Sequence, residues 1–241
     1  MALTAELVAR CHRSEPDPGP NPEHSYFTDD DYDAAVSTLL RQKPAGALWI
    51  FAYGSLLWKP ACDTAEYRPG TAYGWHRAFT LELTRWRGSV EQPGLMMALE
   101  RGGRCDGLTY RLQEAEEAKQ IGRLLRREVG SQEGLRCVRW ITVTTGNNKL
   151  QALAFWAAPR GLDRHVRLSL GRVAHILARA CGHVGSGADY LFQTVTALEQ
   201  LGIRDRNLWR LQEMVAAEIA NLHGQRHLEN ALNDFARPMM R

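Results

Sequence analysis

Hydrophobic and polar positions follow two regimes along the chain. From Ala47 to about Ala157 the apolar residues fall in short runs and alternations that predict strands. Leu48-Trp49-Ile50-Phe51-Ala52-Tyr53 is a continuous apolar run stopped by Gly54-Ser55, the pattern of a strand buried on both faces. Phe79, Leu81 and Leu83 alternate with Ala78, Thr80 and Glu82, and Leu95 to Leu99 and Leu108 to Leu112 are two further short candidates. Cys137 to Thr144 and Leu150 to Ala157 predict a hairpin across Gly146-Asn147-Asn148. One helix, about Glu114 to Val129, interrupts the strands. After Arg160 apolar residues recur at spacings of three and four. They predict helices ending near Gly182, Gly202 and Gly224. Four or five strands, a helix, two strands and three helices do not alternate as a doubly wound fold must. The order predicts an α+β domain: an antiparallel, barrel-like sheet with helices packed outside.

Residues 1–45 read as an N-terminal Pro-rich arm and a short helix. Pro16, Pro18, Pro20 and Pro22 forbid a regular helix and favour an extended chain. Thr28 before Asp29-Asp30-Asp31 is an N-cap with an acidic first turn, opening a helix to about Arg41. The main domain is then 46–224, and 225–241 is expected to be a weakly ordered tail.

Composition narrows the function classes. The 241 residues carry a formal charge of +3, too little excess to suggest a polyanion-binding protein. Four Lys leave 26 Arg among the 30 basic residues, scattered among acids, and the groups at 123/126/127 and 160/164/167 read as solvated faces. Nucleic acid is not an expected partner. Five widely spaced Cys with no CxxC argue against a disulfide framework or zinc ribbon. The eight His form no H-E-x-x-H or H-x-H pair, so no metal is expected. No stretch approaches the roughly 18 apolar residues of a membrane span. A soluble cytoplasmic protein without a membrane partner is expected.

The predicted helix 114–129 holds a carboxylate in an unexpected place. With Ala118 set at zero on a helical wheel, Leu124 falls at about 240°, Glu128 about 280°, Ile121 about 300° and Leu125 about 340°. Glu128 thus lies within the apolar stripe, and in the last turn, where the macrodipole disfavours a negative charge. Glu114 and Glu117 share that side but sit in the first turn, where acids suit the dipole. Either Glu128 is a buried carboxyl with a raised pKa, suited to acid–base work, or the helix frays there and the side chain reaches solvent or an Arg.

The second candidate is the turn Tyr53-Gly54-Ser55-Leu56. A Gly-Ser pair directly after a buried strand lets a ligand approach main-chain N–H groups, which suit a carboxylate or developing oxyanion. The turn is neither a dinucleotide fingerprint, a P-loop nor a G-x-S-x-G elbow.

Together these features resemble the ChaC-type γ-glutamylcyclotransferases. The stretch Trp49-Ile-Phe-Ala-Tyr-Gly-Ser-Leu-Leu-Trp58 resembles that family's opening strand and YGSL turn. Gly74-Trp-His-Arg-Ala-Phe79, Arg87-Gly88, Pro93-Gly94, Gly107-Leu-Thr-Tyr-Arg-Leu112, Arg127-Glu128 and Gly185-x-x-x-x-Tyr190-Leu191 follow in the family's order. The resemblance implies a mixed, largely antiparallel barrel with surrounding helices, and cleavage of glutathione to 5-oxoproline and cysteinylglycine without metal or cofactor. It implies Glu128 as the catalytic residue. For that chemistry the backbone of Tyr53, Gly54, Ser55 and Leu56 can supply donors to the substrate, and Tyr110 and Tyr190 are candidate pocket walls. Two alternatives stay open: a cyclotransferase for other γ-glutamyl amines or dipeptides, and a non-catalytic γ-glutamyl-binding protein.

Overall fold

The computed structural model describes residues 1–20, 22, 25–157 and 165–236, with backbone alone at 133 and 225–236. Its elements are, in chain order, α1 (Ala5–Ala9), α2 (Asp29–Arg41), β1 (Trp49–Ala52), β2 (Thr64–Leu83), β3 (Gly94–Leu112), α3 (Glu117–Glu128), α4 (Gln132–Leu135), β4 (Val138–Thr145), β5 (Asn148–Phe155), α5 (Leu170–Leu177), β6 (Cys181–Gly182), β7 (Gly185–Ser186), α6 (Gly187–Gln200) and α7 (Arg206–Ala236). The first five strands close a barrel in the order β1-β3-β2-β4-β5. Every ladder is antiparallel except β1 with β5, which pairs in parallel and closes the ring. The barrel with helices packed against it is the architecture expected from the order of elements, and its one parallel ladder makes it the mixed barrel that the family resemblance implies.

β1 shows why its run of apolar residues is unbroken. Trp49, Phe51 and Tyr53 enter one hydrophobic cluster, with α5, α6 and α7. Leu48, Ile50 and Ala52 enter the other, with α2 and α3. Successive side chains of a strand point to opposite faces, so a strand packed on both sides has no polar position to offer.

Several differences from the sequence reading have definite causes. The two short candidates 95–99 and 108–112 are one strand, β3, and β2 begins at Thr64 rather than near Ala78. The polar stretch 100–104 still pairs, Tyr73 with Arg104 and Trp75 with Arg101. A ladder bonds through the backbone, and this segment extends where its side chains meet water, so polarity did not end it. The hairpin turn is only Gly146-Asn147, because Asn148 already pairs with Thr145. α7 passes through Gly224 and runs to Ala236, so most of the expected tail is helix, residues 237–241 lying outside the described residues. A lone glycine costs an established helix only about 1 kcal/mol. The N-terminus is packed: Leu3 is fully buried and Val8 and Cys11 join the larger cluster, while the Ala2 and Leu3 N–H groups donate to Gln212 Oε1 at 2.8 and 2.7 Å. The Pro-rich stretch that follows is non-helical at its described positions, and Asp17 forms a bidentate pair with Arg85, both contacts 2.7 Å. α2 has the expected N-cap as a full capping box, Thr28 with Asp31.

α3 packs Ile121, Leu124 and Leu125, all fully buried, into the second cluster. Its first-turn acid does more than complement the dipole. Buried Glu117 accepts from Lys43 Nζ at 2.8 Å and from the Leu48 N–H at 3.2 Å, fastening the helix start to the head of β1. Replacing Glu117 by Ala orphans that buried N–H, and we expect a loss of about 1–3 kcal/mol in urea unfolding. Glu117→Gln, which keeps an acceptor for Leu48, should lose less.

Candidate active site

The turn after β1 is built by three contacts around its backbone. Tyr53 Oη donates to the Phe155 carbonyl at 2.6 Å, tying the end of β1 to the end of β5. Tyr110 Oη donates to the Leu56 carbonyl at 3.2 Å. Tyr190, on α6, accepts the Ser55 N–H on its Oη at 3.2 Å. A Cβ at Gly54 would lie 3.0 Å from Tyr190 Oη and 3.5 Å from Met97 Sδ, so glycine lets these groups close over the turn. The Leu57 N–H closes back on the Gly54 carbonyl at 2.9 Å, opening a short 3₁₀ turn. The Gly54 and Leu56 N–H groups take no acceptor among the described residues.

Glu128 is the last residue of α3 and its side chain is 18% exposed. Both earlier readings hold in part. The helix keeps its register, the carboxyl stays mostly buried, and Arg127 pairs with it, Nε to Oε1 3.0 Å. Burial pushes the Glu128 carboxyl above the ordinary range, and the Arg127 charge pulls the other way. Arg127 is therefore no solvated surface residue, which corrects the sequence reading. Its Nη2 donates to Ser55 Oγ at 3.0 Å, and its Nη1 donates to the Lys59 carbonyl. Its neighbours do face outward: Arg123 pairs with Asp63, and Arg126 pairs with Asp29 and stacks on Tyr32. Arg167 is exposed, while Arg160 and Arg164 lie outside the described residues.

One guanidinium thus joins Glu128 to Ser55, and Ser55 joins the turn to Tyr190 through both its N–H and its hydroxyl. Burial first, and then the Glu128 charge, lift the Tyr190 phenol to about 12. Tyr53 moves the same way, by burial and then by Tyr190 and Glu128. Both phenols stay neutral near pH 7 and serve as hydrogen-bonding groups. Tyr110 is also lifted to about 12 by burial, and it braces the turn from the α2–α3 side. Burial raises the thiols of Cys62 and Cys105 to about 11, leaving little thiolate for a cysteine mechanism.

The sequence reading names Arg87 only within a motif and assigns no role to it or to Asp189. Trp86 adopts a left-handed φ of 60°, and its carbonyl accepts the Val184 N–H at 3.0 Å. Arg87 then lies over the rings of Trp58 and Tyr190, 5.9 and 5.5 Å to the centroids, and donates to the Ser186 carbonyl and Asp189 Oδ2, both at 2.7 Å. Gly88 and Gly94 form the neck of this loop. A Cβ on Gly88 would come 2.3 Å from Gly94 N, which explains the Arg-Gly and Pro-Gly pairs. A mostly buried carboxyl, a backbone turn with unclaimed N–H donors and a mostly buried guanidinium over Tyr190 thus share one region.

The same residues fall within a stretch, 48–218, that matches the family described as ChaC-like protein. The chain belongs to that family. The glutathione-specific gamma-glutamylcyclotransferase of Escherichia coli K12 is 37% identical over 174 residues, covering 72% of this chain and 74% of the relative. The gamma-glutamylcyclotransferase 2-3 of Arabidopsis thaliana is 30% identical, covering 70% and 88%. Among solved structures, a yeast gamma-glutamylcyclotransferase specific to glutathione superposes with a TM-score of 0.64 at 18% identity, over 72% of this chain and 97% of that one, a likeness of fold. The packed N-terminal segment precedes the ChaC-like match.

A buried carboxyl whose pKa is raised favours the folded state while protonated. That contribution is lost as pH climbs from the ordinary carboxylate value through the raised one. Glu128→Gln imitates the protonated form. At pH 7 it should therefore stabilise the protein, read as a rise in Tm. The difference should vanish at acid pH.

Proposed function

We propose that this ChaC-like chain is a glutathione-specific γ-glutamylcyclotransferase with Glu128 as its general acid–base. The observation that carries the residue assignment is the mostly buried Glu128 carboxyl, linked through Arg127 to Ser55 of the substrate-facing turn. The names of the relatives supply the reaction and substrate class.

The nucleophile is the substrate's own α-amine, which attacks the γ-carbonyl to close a five-membered ring. Closure is intramolecular, so holding the γ-glutamyl chain bent supplies much of the acceleration. The Glu128 carboxylate takes one proton from the α-ammonium and returns it to the departing cysteinyl nitrogen as the carbon–nitrogen bond breaks. A second proton passes from the new ring nitrogen to the same amine, so 5-oxoproline and cysteinylglycine together carry the protons the substrate brought. A carboxyl lifted by burial is a stronger base toward an ammonium than an ordinary one. The N–H groups of Gly54 and Leu56 serve the tetrahedral oxyanion, a role the Ser55 N–H leaves to them because it is bonded to Tyr190. Tyr53 and Tyr190 shape the γ-glutamyl end of the pocket. Tyr110 acts one step back, on the Leu56 carbonyl. The reading places the protein in a reducing cytoplasm, on the ground that its five cysteines are widely spaced with no CxxC.

The test is release of 5-oxoproline from glutathione, γ-Glu-Ala and γ-glutamyl-lysine. Glutathione should be turned over, and Glu128→Gln should lose at least about a hundredfold in kcat. Full activity in that variant would remove Glu128 from the mechanism. Preference for one of the other two amides would move the substrate while leaving the chemistry.

The pH profile gives a separate check. The base must be deprotonated, so kcat/KM should fall on the acid side at a pH above the ordinary Glu value of about 4.3. Arg127 holds the Glu128 pKa down, so Arg127→Met should move that acid limb further up. A limb that stays put would separate Arg127 from the titrating group.

A further inference from the structure

Bonded to the first carbonyl of the turn is a buried guanidinium with no place in the mechanism above. Arg77, on β2, has a side chain only 1% exposed. Its Nη1 donates to the Tyr53 carbonyl at 2.7 Å and its Nη2 to the Asp106 carbonyl, and its Nε lies 3.1 Å from Asp205 Oδ2. Tyr53 is the first residue past β1, so the barrel ladder does not claim its carbonyl. Asp205 precedes α7, and its other oxygen caps the Asn207 and Leu208 N–H groups at 3.0 and 3.2 Å.

The Tyr53 carbonyl and the Gly54 N–H belong to one peptide unit, and a trans peptide sends them in opposite directions. A rigid donor bonded to the oxygen fixes the plane of that unit, and with it the direction of the N–H. We propose that Arg77, held in place by Asp205, is a positioning residue that aims the Gly54 N–H toward the reacting carbonyl. The inference rests on the cyclotransferase reading for its kinetic consequence but not for its structural one.

Asp205→Asn is the discriminating change. Asparagine is as good an N-cap as aspartate, so α7 keeps its cap while Arg77 loses its counter-charge. We expect kcat for glutathione to fall by about tenfold to a hundredfold with KM little changed, because the donor acts on charge that develops in the transition state. Amide hydrogen exchange should accelerate at 53–57 and not across the barrel strands. Asp205→Glu should restore most of the rate. Unchanged kcat in Asp205→Asn and in Arg77→Met would overturn the proposal, as would faster exchange spread evenly over the barrel, the mark of a merely structural pair. If the unaltered protein released no 5-oxoproline, the functional reading would fail, while the exchange comparison would still decide whether Arg77 holds the turn.

Discussion

The register of α3 against β1 is the constraint on which the site depends. Glu117, at the start of the helix, holds the N–H at the head of the strand, and Arg127, at its end, holds the turn beyond the strand. Twelve residues of helix advance about 16 Å, so helix and strand run side by side in the same direction. Fully buried Ile121, Leu124 and Leu125 fill the space between the two attachments. A helix fixed at both ends and packed between them cannot rotate or slide without losing a buried ion pair. The Glu128 carboxyl is therefore delivered to the turn by the same packing that stabilises the domain.

That arrangement resolves a conflict between stability and chemistry. A carboxylate at a helix C-terminus, in an apolar stripe, is opposed by the dipole and by desolvation. On the proposed mechanism, full burial without a partner would leave it protonated and useless as a base. Full exposure would leave it an ordinary, weak one. The adjacent Arg127 sets an intermediate condition by returning part of the lost stabilisation. Because its other nitrogens are spent on Ser55 and the Lys59 carbonyl, the guanidinium stays fixed, and its field at Glu128 stays fixed with it.

Much of this was legible in the chain. The unbroken run 48–53, the Gly-Ser turn and the misplaced Glu128 are local signals, each set by neighbours within a few residues. What escaped was set by partners far away in sequence. Arg127 looked like a surface residue because nothing near it shows that Ser55, 72 positions earlier, would meet its guanidinium. Arg87 depends on Asp189, and Arg77 on Asp205, across separations of the same order. Long ladders were undercounted for a related reason: hydrophobic alternation reports burial, and the outer part of β2 and β3 pairs through its backbone where there is little to bury. Helix ends such as that of α7 were misjudged because a single glycine is a weak terminator once a helix is established.

The arginine-rich composition also acquires a physical meaning here, one that neither anion recognition nor surface habit supplies. Arg13, Arg77, Arg87, Arg127 and Arg179 each donate to at least one backbone carbonyl, those of Arg179, Tyr53 and Asp106, Ser186, Lys59 and His175. Most of these carbonyls lie in turns or at the ends of elements, where regular secondary structure leaves an acceptor unclaimed. A guanidinium can reach such an oxygen with one nitrogen and a carboxylate with another, which a single ammonium does less well. Where the pair is Arg87 with Asp189 or Arg77 with Asp205, the loop is held without leaving a net charge behind. The barrel provides rigid walls, but the segments that make the site are loops. In this chain it is arginine, used as a cross-link between carbonyl and carboxylate, that gives those loops the fixed geometry a backbone donor needs.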